Sequence, residues 1–393
     1  MPVIWQASSL RREPDRPIVG VLCGNPIPAG GRMPEERFCR QLAAEAAKLG
    51  LALLVFGPGD VEEQTGTLTG FKLLDGTWVK TAAPIPAIVY DRRFSSGMKA
   101  RIAAGRAVQA LRAHGASMLG GTLPGKLEVY SALNRDPALR HLLPATYRFS
   151  GHGQLESLLA AHPDGFFLKP SSGMQGRGTL AISRADDGWV VTGRSMRNGP
   201  YRRRLASISR IEAAVERMAG WRTYVVQPLL RLHLAGGEPF DVRALVQKDG
   251  SGRWRYTGAA ARIGRAGTAT SNLHGGGSAS QIAPFLREHF ADSAAERLQR
   301  DIRDLSLRVA ERLEQSFGRL VELGIDYGIE PDGRLWLIEA NAKPGRSVFG
   351  GSGTELTRIL AVRRPLQYAR YLMHAQGRNR ARATSPSHED PHE

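Results

Sequence analysis

Cysteine is almost missing from this chain: Cys23 and Cys39 are the only two in 393 residues. They form no CxxC pair, and no Cys/His cluster has zinc-ligand spacing, which excludes a disulfide scaffold and a structural zinc. Long hydrophobic runs are missing too. The longest, such as Leu51–Phe56 and Ala87–Tyr90, fall far short of the roughly 18 residues a membrane-spanning helix needs, so no membrane partner is expected. The opening MPVIWQASSLRREPDRP has no apolar h-region, and a cytoplasmic address is the expectation. Helix-turn-helix, RNP-like and zinc-finger patterns are also absent, which argues against a nucleic-acid partner. Acidic residues are in short supply: 37 Asp and Glu stand against 54 Lys and Arg, a formal charge of +17. Such a field attracts polyanions, including nucleotides and acidic polymers, although a solvated basic surface would carry the same number.

What is present is organised along the chain. Hydrophobic content of 42% is ample for two or three globular cores. An apolar strand (Ile18–Leu22), a Gly/Pro loop, a helical stretch (Glu35–Leu49) and a second strand (Ala52–Phe56) make a βαβ start and predict a parallel sheet. A third strand, Ala87–Tyr90, and a helix over Gly97–His114 close this first domain, placed at residues 1–117. From Leu119 onward strands pair around glycine-rich turns, which predicts antiparallel sheets, with helices over Leu127–Arg135, Ile208–Ala219 and Ala294–Phe317. The expected divisions are 118–205, 206–376 and a tail, 377–393, whose charge, Pro and Ser leave little to bury and predict disorder. The fold class is therefore mixed α/β and α+β.

Two segments carry chemistry. In Gly165-FFLKPSSGMQGRGTLAIS-Arg184, extended flanks surround glycines 173, 176 and 178. No helix follows the loop, so a Rossmann or Walker cradle is excluded. The loop reads instead as a flap covering phosphates with its backbone N–H groups, Lys169 supplying the charge; a plain glycine-rich hairpin is the simpler alternative. Gly120-GTLP-Gly125-Lys126-Leu127 imitates a P-loop, but Leu127 replaces the magnesium-binding hydroxyl and Pro124 removes an N–H. Lys126 remains as a second phosphate-binding cation.

The second segment is Leu323-GIDYGIEPDGRLWLIEANAKPG-Arg346. Two extended runs meet at Pro331-Asp332-Gly333, which predicts a hairpin with Asp326 opposite position 338 or 339. Glu339 and Asn341, two apart, share a face. Two carboxylates and an amide form a hard oxygen set suited to Mg²⁺, unless the strand is merely a solvated polar edge.

The order of Lys126, Lys169 with its glycine flap, Val225-VQPL-Leu230, Phe240-DV-Arg243, Thr270-SNLHGG-Gly277, Asp326 and Glu339-A-Asn341 resembles the ATP-grasp superfamily. With Ile18–Gly20, Gly70-Phe71 and Ile88-VYDRR-Phe94 it further resembles the YheC/YheD family, described as endospore coat-associated. The resemblance implies an ATP-grasp fold after the βαβ domain, with ATP and Mg²⁺ as cofactors. Lys126, Lys169, Ser172, Gly173, Gln175, Gly176 and Gly178 would hold phosphates. Gln227, Pro228 and Leu229 would form the adenine hinge, and Asp241 would lie near the ribose. Arg243, Arg262 and Asn272 would meet the transferred phosphate, and Asp326, Glu339 and Asn341 would bind the metal. The implied activity is ADP-forming ligation of a small-molecule or peptide carboxylate to an amine or thiol through an acyl-phosphate, with an acidic polymer as a further candidate partner and a link to the spore coat. The alternatives are a catalytically silent ATP-binding coat protein and a nucleic-acid binder. Thr270 departs from the arginine that related protein-modifying ligases carry before their Ser-Asn pair, and Pro228 offers no N–H where many relatives have an acidic residue.

Overall fold

The computed structural model describes residues 16–24, 33, 35–94, 97–173, 176–268, 271 and 276–384. The chain divides into two units, both discontinuous in sequence. One comprises Met1–Gly121, Gln247–Arg255 and Ile359–Glu393; the other comprises Thr122–Val246 and Tyr256–Arg358. The consecutive segments expected from the sequence do not follow this division, because residues 247–255 group with the last helix. Gln247 donates to the Ala361 carbonyl at 3.0 Å, and the Lys248 ammonium lies 5.3 Å from the Tyr368 ring centre.

In the first unit, strand Ile18–Leu22 pairs in parallel with Ala52–Phe56 on one side and Ile88–Asp91 on the other, and Ser117–Leu119 pairs in parallel beyond it. Helix Glu36–Lys48 makes the expected crossover, burying Phe38, Cys39, Leu42 and Ala46 at helical spacing. The sequence reading missed the hairpin of Thr67–Leu74 and Thr77–Pro84, which joins Ala52–Phe56 antiparallel and makes the seven-stranded sheet mixed. Its turn is Asp75-Gly76, both at positive φ (47° and 77°), a two-residue connection of the kind that Asp-Gly favours. Arg92, just past strand Ile88–Asp91, is buried. It pairs with Glu35 at 2.8 Å and lies among the rings of Phe38, Tyr90 and Phe94, so it holds the fold rather than facing a ligand.

Helix Glu355–Thr384 runs past Gly377 into the segment expected to be disordered. Arg and Ala between 378 and 383 favour helix, and the Gln376 amide anchors the preceding turn on Ser117 Oγ at 2.7 Å. Residues from 385 onward lie outside the described residues. Among those described, no helix is long and apolar enough to cross a membrane.

The second unit carries two sheets. In the first, the strands run in the order Pro200–Leu205, Gly188–Arg194, Leu180–Ala185, Gly165–Pro170, Tyr224–Pro228, Tyr147–Arg148, every pairing antiparallel. One face packs Phe166, Leu168, Ile182, Val191 and Trp189 onto helix Ile208–Ala219 through Ile211 and Val215. The second sheet runs Ser278–Gln281, Trp254–Ile263, Phe240–Lys248, Glu322–Ile329, Leu335–Asn341. Helix Asp292–Phe317 lies against strand Glu322–Ile329 with a stripe of Ala295, Leu298, Ile302, Val309 and Leu313. Within that contact Ser306 Oγ donates to the Ile302 carbonyl and meets Tyr327 Oη at 3.0 Å, so the buried polar atoms are satisfied.

Candidate functional site

Strand Glu322–Ile329 is buried throughout, so its two carboxylates, Glu322 and Asp326, need charged partners. The turn below it forms as the sequence predicts. Gly333 adopts φ 80°, and its N–H donates to the Glu330 carbonyl at 2.8 Å. Asp326 then stands opposite Glu339 and Gly324 opposite Asn341, with a register shift between Asp326 and Tyr327. That bulge decides between the two partners the sequence allowed.

The Asp326 carboxylate is held by Arg243 through both oxygens, one of these contacts being 2.8 Å, and by Arg262 at 3.0 Å. Burial alone would raise this carboxyl, but Arg243 and then Arg262 pull it down to about 2. Arg262 in turn grips Asp241 with two bonds of 2.5 and 2.7 Å, and Ser271 Oγ donates to the same carboxylate. Two arginines and two aspartates thus alternate in one buried network, charge-balanced and bidentate at both ends. Gly324 makes room for it: a Cβ there would sit 2.7 Å from Pro344 and 3.3 Å from the Arg243 side chain. Beside it, buried Glu322 pairs with Arg346, tying the segment that follows Asn341 back to this strand.

Two lysines complete the cluster. Lys169, at the end of strand Gly165–Pro170, is 5% exposed and donates to the Ile338 carbonyl at 3.3 Å. Burial depresses its ammonium to about 8; Glu339 and Asp326 oppose the shift and Lys126 adds to it. Lys126 opens helix Lys126–Asn134 and reaches Glu339 at 3.6 Å, while its backbone N–H donates to the Ser171 carbonyl at 2.9 Å. The helix start and the glycine loop are therefore joined, which their sequence separation did not reveal.

The loop itself leaves Ser172 and Gly173 exposed; Gln175 lies outside the described residues. Gly176 and Gly178 adopt φ of 69° and 71°. At Gly178 a Cβ would fall 2.5 Å from both Met196 Sδ and Tyr224 Oη. Gly178→Ala should therefore cost about 1–3 kcal/mol of stability, read by chemical denaturation, because neither the dihedral nor the space suits a side chain.

Several of the expected site residues have partners within the protein. Asp241, expected beside a ribose, lies inside the arginine network. The Gln227 amide N–H donates to Thr146 Oγ1 at 2.8 Å and the Leu229 N–H to the Gly165 carbonyl at 3.1 Å; Pro228 stands opposite Phe166. Asn272 and Thr270 lie outside the described residues. Sequence reading missed Ser271, although it sits in the Ser-Asn pair, and missed Thr146 and the Glu322–Arg346 pair, which had no local signal. Among the described residues no three His, Cys, Asp or Glu side chains form a metal cluster. The residues expected to hold a metal are two carboxylates and one amide, Asp326, Glu339 and Asn341. Their hard oxygen chemistry and an ionised Asp326 fit Mg²⁺, with remaining positions left to water and phosphate.

An antiparallel sheet bearing a lysine and a glycine loop, set against a second sheet bearing the carboxylates, places the chain in the ATP-grasp class. The solved structure of the D-cycloserine synthetase DcsG matches with a TM-score of 0.54 at 13% identity, over 91% of this chain and 99% of that one. D-alanyl-alanine synthetase A from Vibrio cholerae O1 biovar eltor str. N16961 matches at 0.50 and 14%, over 93% and 99%. The chain belongs to the YheC/D-like ATP-grasp family, whose sequence profile matches residues 115–372. It is 26% identical to the endospore coat-associated protein YheD of Bacillus subtilis (strain 168), over 81% of this chain and 70% of that protein. To YheC of the same strain, also endospore coat-associated, it is 25% identical over 88% and 94%.

Proposed function

We propose that the chain is an ADP-forming ligase that joins a carboxylate to an amine at the expense of ATP. The observation that carries this reading is the convergence of Lys126, Lys169, Arg243 and Arg262 on the Asp326–Glu339 strand pair. Four cations around two carboxylates of one hairpin form a site for a bound polyphosphate with its metal. Lys126 and Lys169 would hold the phosphates, with the loop 171–178 closing over them to exclude water. Asp326, Glu339 and Asn341 would hold Mg²⁺, which when bound neutralises phosphate charge.

Arg243 and Arg262 would stabilise the charge that develops in transfer. A substrate carboxylate oxygen bonds to the γ-phosphorus as the bond from that phosphorus to the β,γ-bridging oxygen breaks, and ADP leaves with the electron pair. The amine nitrogen then attacks the acyl carbon, the carbon–oxygen bond to phosphate breaks, and the amine gives up a proton to solvent. No covalent nucleophile from the chain takes part. Likeness to two coat-associated proteins supports a substrate belonging to the spore coat or envelope.

The test has two stages. Calorimetry should detect Mg-dependent ATP binding, and carboxylate and amine pairs should then be screened for ADP release. With an active pair in hand, Arg262→Lys should lower turnover on the order of 100-fold while leaving Mg-ATP affinity within a few-fold, because lysine keeps the charge but not the two-pronged contact. Binding without ADP release for any pair would convert the reading to a silent nucleotide-binding protein; no binding at all would end it.

A further inference from the structure

We propose that the open edge strand Pro200–Leu205 is a docking site for an extended acidic polypeptide, which adds to the six-stranded sheet as a further strand. This goes beyond the ligase reading and does not depend on it. The strand ends its sheet, bonded to Gly188–Arg194 on one side only. Tyr201 and Leu205 pack against the buried core of that sheet, while Arg202, Arg203 and Arg204 are all exposed. Arg204 meets Asp187 at 3.1 Å in a pair whose side chains are 69% and 72% exposed, a contact that solvent screens strongly. Arg203 lies over the Tyr201 ring at 5.7 Å, and no ion pair among the described residues involves Arg202. Residues 180–205 hold six arginines and two aspartates.

The register fixes where these charges point. Arg202 is opposite Thr192, Thr192 is opposite Ala181, and Ala181 is opposite Phe167, two residues before Lys169. Residues directly opposite share a face, as do residues two apart, so Arg202 and Arg204 stand on the same face of the sheet as Lys169. An incoming strand with Asp or Glu at alternate positions would set its carboxylates beside Arg202 and Arg204 on that face.

Charge also selects the occupant. A second copy of this strand would bring arginine against arginine, which disfavours self-pairing. Nucleic acid has no amide backbone to satisfy the strand's outward N–H and C=O groups, and the strand's one aromatic, Tyr201, faces the core and offers no stacking platform. An acidic polypeptide satisfies both the backbone and the arginines.

The experiment is fluorescence anisotropy on the full chain, with a labelled peptide alternating glutamate and threonine over about ten residues. The expected results are binding that weakens at least about tenfold in the Arg202→Glu/Arg204→Glu variant, and a comparable loss when alternate peptide amides are N-methylated, which keeps the charge but removes strand pairing. Hydrogen exchange should slow at residues 200–205 when peptide is bound, and the variant should melt as the native chain does. No binding, equal binding by the variant or by the N-methylated peptide, or equally tight binding of single-stranded DNA of matched charge would each overturn the proposal.

Discussion

Replacement of Asp326 by asparagine should lower stability by about 3–5 kcal/mol, on the order of 10 °C in melting temperature for a unit of this size. Asparagine keeps the shape and removes the charge that both Arg243 and Arg262 use. Arg262 would keep Asp241, but Arg243 would lose the carboxylate that holds it, and an uncompensated buried charge is far costlier than a broken surface pair. Glu339→Gln gives the contrast. Its side chain is 26% exposed and its contact with Lys126 spans 3.6 Å, so stability should change by less than about 1 kcal/mol. Mg-dependent nucleotide affinity should nevertheless fall at least about tenfold, since on the proposed reading Glu339 would be a hard ligand to the metal. Melting curves and calorimetry on the two variants separate Asp326, which also holds the arginine network, from Glu339, which does not. Equal melting temperatures for both would mean that the arginine network does not hold the fold.

The second large effect is on pH. Lys169 has its ammonium depressed to about 8 by burial. A bound phosphate favours the charged form, so the nucleotide-bound value lies above 8. Mg-ATP affinity should therefore be level below pH 8 and fall about tenfold per pH unit above it, with a proton taken up on binding. Calorimetry in buffers of different ionisation enthalpy reads that proton directly. Lys169→Arg should flatten the profile, because guanidinium does not titrate in this range. For the free protein the sign is opposite to that of a paired lysine. The unfolded chain holds the proton up to about 10.5 and the folded chain up to about 8, so between these values the unfolded state binds more protons and stability rises with pH. Lys169→Met should lack this rise relative to the native chain, whatever the tyrosines contribute in the same range. An unchanged difference between the two chains from pH 7 to pH 10 would show that Lys169 is not buried as a cation.

Much of the site's position was legible from local pattern. The 2.0 period of Arg334–Asn341 and the Asp332-Gly333 turn sufficed to bring Asp326 near Glu339, because a tight hairpin leaves one register or its neighbour. The glycine loop was legible as a link between two antiparallel strands because extended segments flank it. The hairpin of Thr67–Leu74 and Thr77–Pro84 was missed although Asp75-Gly76 announces it, since its strands mix polar and apolar residues without clean alternation. The last helix was missed at its end because charge and low hydrophobicity suit either a solvated helix or a disordered tail, and only an anchor such as Gln376 on Ser117 distinguishes them.

The sequence by itself determined the βαβ opening, the antiparallel character of the middle, the hairpin that presents Asp326, Glu339 and Asn341, and the identity of the cations. Each of these follows from residues close together in the chain. Tertiary structure alone decided that Arg262 and Arg243 share Asp326, that Asp241 and Ser271 support Arg262, and that Lys169 is buried against the Ile338 carbonyl. These contacts join residues 21 to 169 positions apart, and their partners are set by which strands lie side by side and which side chains are cut off from water. Neither burial nor strand order is written in any local spacing, which is why the charges could be named from the sequence while their pairing could not.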